Sequence, residues 1–391
     1  MAERETRQTW ITGIGIVTCL GEGLDAHWQG LNSVPPVADA ASFAPYIVHR
    51  IVPLELDRQI PKKGDQRQME PWQRIGTYAA GLALDSAGVK GRSEFLSRMD
   101  MIVAAGGGER DAQVDLNVAA NVDKAAKAEA FVNERLMSDL RPTLFLAQLS
   151  NLLAGNISIV HGVTGSSRTF MGEESAGVEA VRVAHARIQA SQSDLALVGG
   201  AYNAERWEVM LHFALGRRLA RGEPKPVWER GGMQLGTIGA FLVLEEKAHA
   251  QARGATPFAR IVAVASDHVK RAPGAVTAAL ERMWGKIAPQ LDAAQAAVIS
   301  GASGVAPATE EERAFLARQN LAVRATGTHL GHGLEPQFPA NIALAAAALR
   351  AGKLSAPGEP SERAMDGALR QVAVTSIGHW RGEGLALIEA V

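Results

Sequence analysis

Hydrophobic positions in this chain form short continuous runs that alternate with longer stretches of helical spacing. The runs are five to eight residues long, which suits strands covered on both faces of a sheet. The predicted strands are residues 10–17, 100–105, 194–201, 241–245, 259–264, 296–300, 371–376 and 386–390. Between them, residues 74–87 and 177–190 carry apolar side chains at the period of a helix, and residues 337–349 predict a helix buried all round. Strands that alternate with helices predict an α/β fold.

Two polar segments indicate how the chain is organised. Residues 246–257 (EKAHAQARGATP) are the best candidate for a junction, which predicts halves at 1–248 and 249–391. Residues 105–141 are polar and rich in Ala, and predict a helical excursion over the surface.

The charge balance limits the partners that the chain could attract. It has 391 residues with 40 Lys and Arg against 41 Asp and Glu, so no global field attracts nucleic acid or anionic lipid. Aromatic residues make up 5% of the chain, which disfavours a base-stacking surface. We therefore expect no nucleic-acid partner, and any acidic partner must meet a local basic patch.

Cysteine usage and hydropathy predict the compartment. The single cysteine, Cys19, allows no internal disulfide and fits a reducing cytoplasm. The first ten residues are charged and polar, and no apolar run reaches the roughly 18 residues of a membrane span. We expect a cytoplasmic protein with no membrane span.

The candidate chemistry lies at residues 165–177 (GSSRTFMGEESAG), which predict a strand, a tight turn and the start of a helix. Many acyl-transfer enzymes hold a nucleophile at such an elbow, but here the tip carries Glu173 and Glu174, and Ser175 lacks a G-x-S-x-G context. A carboxylate at a helix N-terminus is stabilised by about 0.3–1 kcal/mol when exposed, so Glu174 is expected to stay ionised. It could be a general base, stand in for a substrate carboxylate, cap the helix or form an ion pair.

Other motifs do not complete a cofactor site. The G-I-G at 13–15 lacks the third glycine of a dinucleotide fingerprint, because Thr18 stands there, and the three glycines at 106–108 lack the Lys-Ser/Thr pair of a P-loop. His329 and His332 are three residues apart without a third close ligand. We therefore expect no cofactor and no metal, and interpret His332 as a pocket histidine.

Several stretches together resemble the β-ketoacyl synthases of fatty-acid and polyketide assembly, which belong to the thiolase-like superfamily. The resemblance covers nearly the whole length. It is carried by ITGIGIVTCLG at 11–21, QMEPWQR at 68–74, residues 156–169, LALVGGA at 195–201, LVLEE at 242–246 and ARGA at 252–255.

This resemblance implies a five-layer αβαβα sandwich of two similar halves, dimerisation through a central strand and a substrate linked to an acyl carrier protein. Members of the family transfer an acyl chain to a Cys, decarboxylate a malonyl thioester and join the two carbons. The Cys lies at a helix N-terminus that makes it nucleophilic. Two His and a Lys assist, and a glycine-rich loop with a Phe gates the pocket.

The family's catalytic positions are largely replaced in this chain. The nucleophile position falls on Glu174, the first His position on Ala302 and the Lys position on Gly327. The second His is kept as His332, which is preferred over His329 because it preserves the spacing to ALR at 348–350.

Two further sets of residues follow from the resemblance. The gating Phe position falls on His379 within GHWRGE at 378–383, and Trp380 and Phe170 are expected beside it in the pocket. The acidic carrier would need a basic patch, and the candidate cluster, whose alternative is a solvated loop, is Arg217, Arg218, Arg221 and Lys225.

The combined losses predict that the chain does not condense acyl groups by itself. A carboxylate is a poor acceptor from a thioester, because the product anhydride is high in energy, and each missing proton or oxyanion partner removes a factor of about 10²–10³. The leading hypothesis is an inactive partner of an active synthase, as chain-length factors are, in a heterodimer or with itself. The alternatives are a thioester decarboxylase or hydrolase that uses Glu174 and His332, and a module that binds an acyl chain or the carrier.

Overall fold

The fold is built on one long mixed sheet. A computed structural model describes residues 7–33 and 36–391. The strands are β1 (Thr9–Thr18), β2 (Gly21–Glu22), β3 (Val48–His49), β4 (Asp100–Ala104), β5 (Ser167–Phe170), β6 (Leu195–Tyr202), β7 (Leu235–Gly236), β8 (Ile238–Glu246), β9 (Ala259–Asp267), β10 (Ala296–Ser300), β11 (Ala322–Ala325), β12 (Gln371–Ile377) and β13 (Glu383–Glu389).

The strand order repeats, which confirms two similar halves. The sheet runs β11-β10-β12-β13-β9-β1-β8-β6-β4-β5, and β2 pairs with β1 beside this path. In the first half, β5-β4-β6-β8-β1 has two parallel pairings followed by two antiparallel ones. The second half, β11-β10-β12-β13-β9, has the same pattern. The halves join where β1 and β9 pair between Thr9 and Ile261, Trp10 and Arg260, and Ile11 and Ala259.

Helices cover the sheet on both sides. They are α1 (Gly23–Leu31), α2 (Lys63–Gln68), α3 (Pro71–Ser86), α4 (Ser93–Leu96), α5 (Ala112–Asn121), α6 (Ala128–Asp139), α7 (Leu144–Ala147), α8 (Leu152–His161), α9 (Glu174–Gln189), α10 (Trp207–Leu215), α11 (Lys247–Ala252), α12 (Ala275–Ile287), α13 (Ala308–Gln319), α14 (Gly327–Leu330) and α15 (Gln337–Ala351). Short 3₁₀ turns occur at Leu56–Arg58, Val122–Lys124 and Ala288–Gln290.

The layers follow the predicted thiolase-like sandwich. Helices α9 and α15 contact strands of both halves and form the middle layer, α3 and α8 pack on the first half, and α12 and α13 pack on the second. The middle layer encloses the largest apolar cluster, which is rich in Ala, Ile and Leu. A Cβ at Gly177 of α9 would lie 2.1 Å from the carbonyl oxygen of Glu335, so glycine allows the start of α9 to approach the loop before α15.

Most of the predicted elements are confirmed, with differences at the edges. All eight predicted strands form, and residues 105–141 form α5 and α6 on the surface, with mostly exposed side chains. Strand β11 was not predicted, because a four-residue edge strand with Arg324 in it gives no apolar run. The proposed boundary at 248/249 falls inside α11 and stays a prediction. Among the described residues, no helix combines the length and apolar character needed to cross a bilayer.

Candidate functional site

A strained elbow connects β5 to α9, as the sequence predicted. After Phe170, Gly172 has φ 135° and Glu173 has φ 56°, and the helix begins at Glu174. A non-glycine residue at positive φ is uncommon, and such strain costs on the order of 1–3 kcal/mol where the surroundings enforce it. The hydroxyl of Ser175 donates to the Gly172 carbonyl at 2.7 Å and so stabilises the turn. Phe170 packs against the apolar cluster of the middle layer.

The Glu174 side chain is buried and saturated with hydrogen-bond donors. Its exposed fraction is 1%. Its Oε1 accepts from Nε2 of His332 at 2.8 Å, from the backbone N–H of His379 at 3.0 Å and from Nδ1 of His379 at 3.0 Å. The structure therefore brings together three of the residues that the sequence analysis selected.

The electrostatics make Glu174 and His379 a buried ion pair. Burial opposes the ionised form of Glu174, but the charge of His379 and the hydrogen bonds from both histidines hold its pKa far below the usual range. Burial disfavours the charged form of His379, but the charge and hydrogen bonds of Glu174 outweigh it and raise its pKa above 6.5. Glu174 is thus an ionised carboxylate that is already paired with the His379 cation. Among the four roles considered for Glu174 in the sequence analysis, the geometry favours the ion pair.

His332 is fixed by its backbone as well as by its ring. Its N–H donates to the Gln234 carbonyl at 2.8 Å, and it forms an isolated bridge with Leu235. The bond to Glu174 requires the proton on Nε2, and Nδ1 has no partner among the described residues. His332 consequently serves as a donor that holds Glu174.

The loop after β12 closes over the elbow. His379 packs edge-on against Phe213, with ring centroids 5.4 Å apart, and its carbonyl accepts from Arg218 at 3.4 Å. The indole N–H of Trp380 donates to Oε2 of Glu173. The position expected to gate a pocket therefore carries a side chain that ties the loop to the elbow.

Ala302 and Gly327, the two other positions expected from the resemblance to be catalytic, lie beside a buried arginine. A Cβ at Gly327 would lie 3.0 Å from the Ala302 carbonyl oxygen and 3.2 Å from Nη2 of Arg230. Arg230 donates to the carbonyls of Gly327 at 3.0 Å and Ser303 at 3.1 Å, and burial lowers its pKa to about 9. The arginine fills the space that a side chain at position 327 would enter. Sequence reasoning missed it, since no motif marks position 230.

A cavity of about 310 Å³ opens beside Glu173. It is lined by Trp72, Gly106, Gly107, Gly108, Arg110, Glu173, Ala201, Tyr202, Asn203, Arg206, Glu208, Val209, His212, Phe213, Leu334 and Glu335. Glu335 is 3% exposed, and its Oε2 has no hydrogen-bond partner among the described residues. The hydroxyl of Tyr202 also has no hydrogen-bond partner among them. Burial and the charges of Glu173 and Glu174 raise the pKa of Glu335 to about 8. The only sequence signal for Glu335 is its place three residues after His332.

The site also contains a group of side chains able to ligate a metal. Glu173, Glu174 and His379 each present a ligand atom within 4.8 Å of the other two. The sequence analysis weighed only His329 and His332, whereas this group joins an elbow to a loop about 205 residues later in the chain.

The predicted basic cluster lies on an exposed loop after α10. Arg217, Arg221 and Lys225 are exposed, and Arg218 is half-buried against His379. The preceding helix exposes three large apolar side chains at four-residue spacing, namely Trp207 at 53%, Leu211 at 60% and Leu215 at 77%. A basic loop and an apolar stripe are therefore neighbours on one surface.

Comparison with known proteins gives matches in sequence and fold. Residues 6–250 match the family model "Beta-ketoacyl synthase, N-terminal domain". A 3-oxoacyl-[acyl-carrier-protein] synthase 2 of Vibrio harveyi is 24% identical over 269 residues, which are 66% of this chain and 62% of that enzyme. The chain thus aligns with less than two thirds of that relative's length.

Two solved structures share the fold over almost the whole chain. The ishigamide ketosynthase/chain length factor superposes with a TM-score of 0.79 at 18% identity, and covers 99% of this chain and 100% of its own. A type II polyketide-synthase acyl-carrier protein in complex with its ketosynthase bound to the hexaketide gives a TM-score of 0.73 at 15% identity, with coverage of 98% and 100%. At such identities the likeness establishes the fold alone.

Proposed function

Because the chain belongs to the β-ketoacyl synthase family, we propose that it is a non-condensing member that serves as the partner subunit of an active synthase in fatty-acid or polyketide-type biosynthesis. The observation that carries this proposal is the state of Glu174, a buried carboxylate bound to two histidines at the position that we assign to the nucleophile.

The chemistry of Glu174 supports a loss of condensation. An attack on a thioester by this carboxylate would form an anhydride and would first have to break the ion pair with His379. Removing one partner of a buried ion pair costs about 3–5 kcal/mol, which adds directly to the barrier. The surrounding positions add no compensation, since Ala302 has no proton to transfer and Gly327 has no side chain.

An edge strand supports a role in a dimer. In the described part of the chain, β5 pairs with β4 alone and ends the sheet, with Ser167 and Arg168 exposed. Unpaired backbone groups of an edge strand are a template for pairing with another chain. Helix α8 contacts β5 and exposes the apolar side chain of Ile159 at 72%, which extends this surface. The second chain in this proposal is an active synthase subunit, and pairing with a second copy of this chain is the alternative that the test below separates from it.

The basic loop supports an acyl carrier protein as a further partner. Arg217, Arg221 and Lys225 are exposed to an acidic partner, although Arg221 also donates to the Tyr46 hydroxyl at 3.2 Å, and the apolar stripe of α10 lies next to them. A ketosynthase of the same fold is known in complex with a carrier protein. The single cysteine favours a cytoplasmic location, which is part of the same proposal.

Co-expression tests the proposed role. The chain is expressed with an active synthase of the same source, and its association is measured by native mass spectrometry beside condensation with acyl and malonyl carrier thioesters. We expect a one-to-one complex, condensation by the complex and none by the chain alone. A stable homodimer that ignores the synthase, or condensation by the purified chain, would refute the proposal.

A second candidate is a thioester decarboxylase or hydrolase, which the 2.8 Å bond between His332 and Glu174 favours because it joins an acid to a base. Turnover of malonyl and acyl thioesters by the purified chain is compared between wild type and Glu174→Gln. Loss of a measurable turnover in the variant supports this candidate. Turnover that is absent, or unchanged in the variant, eliminates it.

A further inference from the structure

We propose that the cavity beside the elbow selects acyl chains that carry keto or hydroxyl oxygen atoms over saturated chains, and that Tyr202, Trp72 and Glu335 provide this specificity. The specificity rests on the proposed function, because the chain enters the cavity as a thioester of an acyl carrier protein. The cavity volume of about 310 Å³ is at the lower end of the range of about 300–1,000 Å³ for small-molecule pockets. Glu173 lies on its wall, so an occupant lies next to the elbow.

Three buried polar side chains on the cavity wall lack hydrogen-bond partners. Trp72, Tyr202 and Glu335 line the cavity and are 2%, 7% and 3% exposed. The indole Nε1 of Trp72, the hydroxyl of Tyr202 and Oε2 of Glu335 form no hydrogen bond within residues 7–33 and 36–391. Buried polar atoms in folded proteins are nearly always paired with a protein group or an ordered molecule. Three such atoms on one wall therefore indicate a polar occupant.

The protonation of these three groups decides which kind of occupant they fit. The indole N–H of Trp72 can only donate a hydrogen bond. Burial raises the pKa of the Tyr202 phenol well above 10, and burial is the main reason that the pKa of Glu335 is raised to about 8. At neutral pH both groups therefore keep their proton and are donors as well. Ketone and hydroxyl oxygens accept from such donors, whereas an alkyl chain accepts nothing and an ammonium group adds only further donors.

The charges on the cavity wall favour an uncharged oxygen over a carboxylate or a phosphate. Both arginines on the wall already have an acidic partner. Arg206 donates to Glu208 at 2.7 Å. Arg110 donates to Asp115 at 2.6 Å. An anionic occupant would also meet the carboxylate of Glu173 on the same wall, and like charges repel strongly where water is excluded.

The backbone of the wall is built to hold the Glu335 carboxyl in place. Leu334, which precedes it and also lines the cavity, has φ 51°. A non-glycine residue at positive φ is uncommon, and such residues cluster at functional sites. A Cβ at Gly106 would lie 2.7 Å from Oε1 of Glu335, so glycine leaves room for the carboxyl there. A Cβ at Gly107 would have no atom within 4 Å, so the same loop leaves the cavity open beside it.

Binding of three pantetheine thioesters to the full-length protein, measured by calorimetry, tests this specificity. The probes are hexanoyl, 3-oxohexanoyl and 5-oxohexanoyl pantetheine, which have the same chain length and differ in one ketone. We expect at least one oxo chain to bind about tenfold more tightly than hexanoyl, which corresponds to about 1.4 kcal/mol. Tyr202→Phe keeps the ring and removes one donor, so it should lower this preference about fivefold. A merely structural role of Tyr202 would weaken all three chains alike.

Tyr46→Phe is the matched control. The Tyr46 ring packs against the same apolar cluster as Tyr202, and its hydroxyl accepts from Arg221 at 3.2 Å, but it does not line the cavity. This variant should keep the preference of the wild type. Equal affinity for the three chains, tighter binding of hexanoyl, or binding of none of them overturns the inference, and so does an unchanged preference in Tyr202→Phe. Each of these results leaves the partner-subunit role standing, because co-expression with an active synthase tests that role without these probes.

Discussion

At the scale of single residues, the pairing of Glu174 with His379 makes stability depend on pH. The pKa of Glu174 is lowered from 4.5, so its contribution is present above that value and is lost as the pH falls through the folded pKa. The pKa of His379 is raised from 6.5, so its contribution is complete below that value and is lost as the pH rises through the folded pKa. The pair therefore stabilises the fold most between pH 4.5 and 6.5.

Replacing Glu174 by Gln should lower the free energy of unfolding by about 3 kcal/mol at a pH near 6, because it leaves His379 buried without its counter-charge. The difference from wild type should shrink as the pH is raised through the folded pKa of His379. Denaturant unfolding at a series of pH values measures it. A difference that is constant across this range would show that the pair is not ionic, and Glu208→Gln, which removes a carboxylate paired with Arg206, is the control.

Arg230 and Gly327 are coupled through the space that they share. Gly327→Lys should destabilise the fold by about 1–3 kcal/mol, since the new side chain meets Arg230 at its first carbon. Removing the guanidinium with Arg230→Ala makes room for the lysine, so the double variant should be more stable than the sum of the single effects. Unfolding free energies of the four proteins form a double-mutant cycle. Additive effects would contradict the coupling.

The sequence could predict the residues of the site that lie in motifs but not those that tertiary packing brings in. Glu174 follows from its place in the elbow, whereas His332 and His379 follow from the resemblance to the family's motifs. Arg230 and Glu335 do not, because their role depends on which chain segments the fold places side by side. Glu173 was seen as part of the tip, but its positive φ and its contact with Trp380 need coordinates.

At the scale of secondary-structure elements, one edge of β5 pairs with no other strand in the described part of the chain. The carbonyls of Ser166 and Phe170 accept from β4, and since backbone groups alternate along a strand, the N–H groups of Ser167 and Thr169 point outward. This outer edge is the surface proposed for pairing with a second subunit. The hydrogen bonds that this outer edge would make to a second subunit can be removed without breaking the pairing of β5 with β4.

Thr169→Pro removes one outward donor and should weaken the subunit dimer strongly, whereas Thr169→Val keeps the donor and a β-branched shape. Light scattering over a dilution series measures the dissociation of the dimer, and far-UV circular dichroism checks that the chain stays folded. A proline variant that dimerises like Thr169→Val would exclude β5 from the interface.

At the scale of the whole molecule, the repeated strand order gives a scaffold whose packing does not depend on the side chains of the candidate site. Each half buries its own part of the long sheet between helices. Apolar side chains pack along the length of the middle layer of α9 and α15. The positions proposed to be catalytic in the family, 174, 302 and 327, lie at strand and helix ends, so the side chains found there leave these layers intact. Alternating apolar runs predicted the α/β class, and the family resemblance implied the layers of two similar halves, whereas the identity of the edge strands required the pairing itself.

The central claim is that Glu174 does not accept an acyl chain. The direct measurement is intact-protein mass spectrometry after incubation with an acyl-carrier thioester, with an active β-ketoacyl synthase as the positive control. The account predicts acylation of the control and an unchanged mass for this chain. A stoichiometric acyl adduct on wild type that Glu174→Gln abolishes would contradict it.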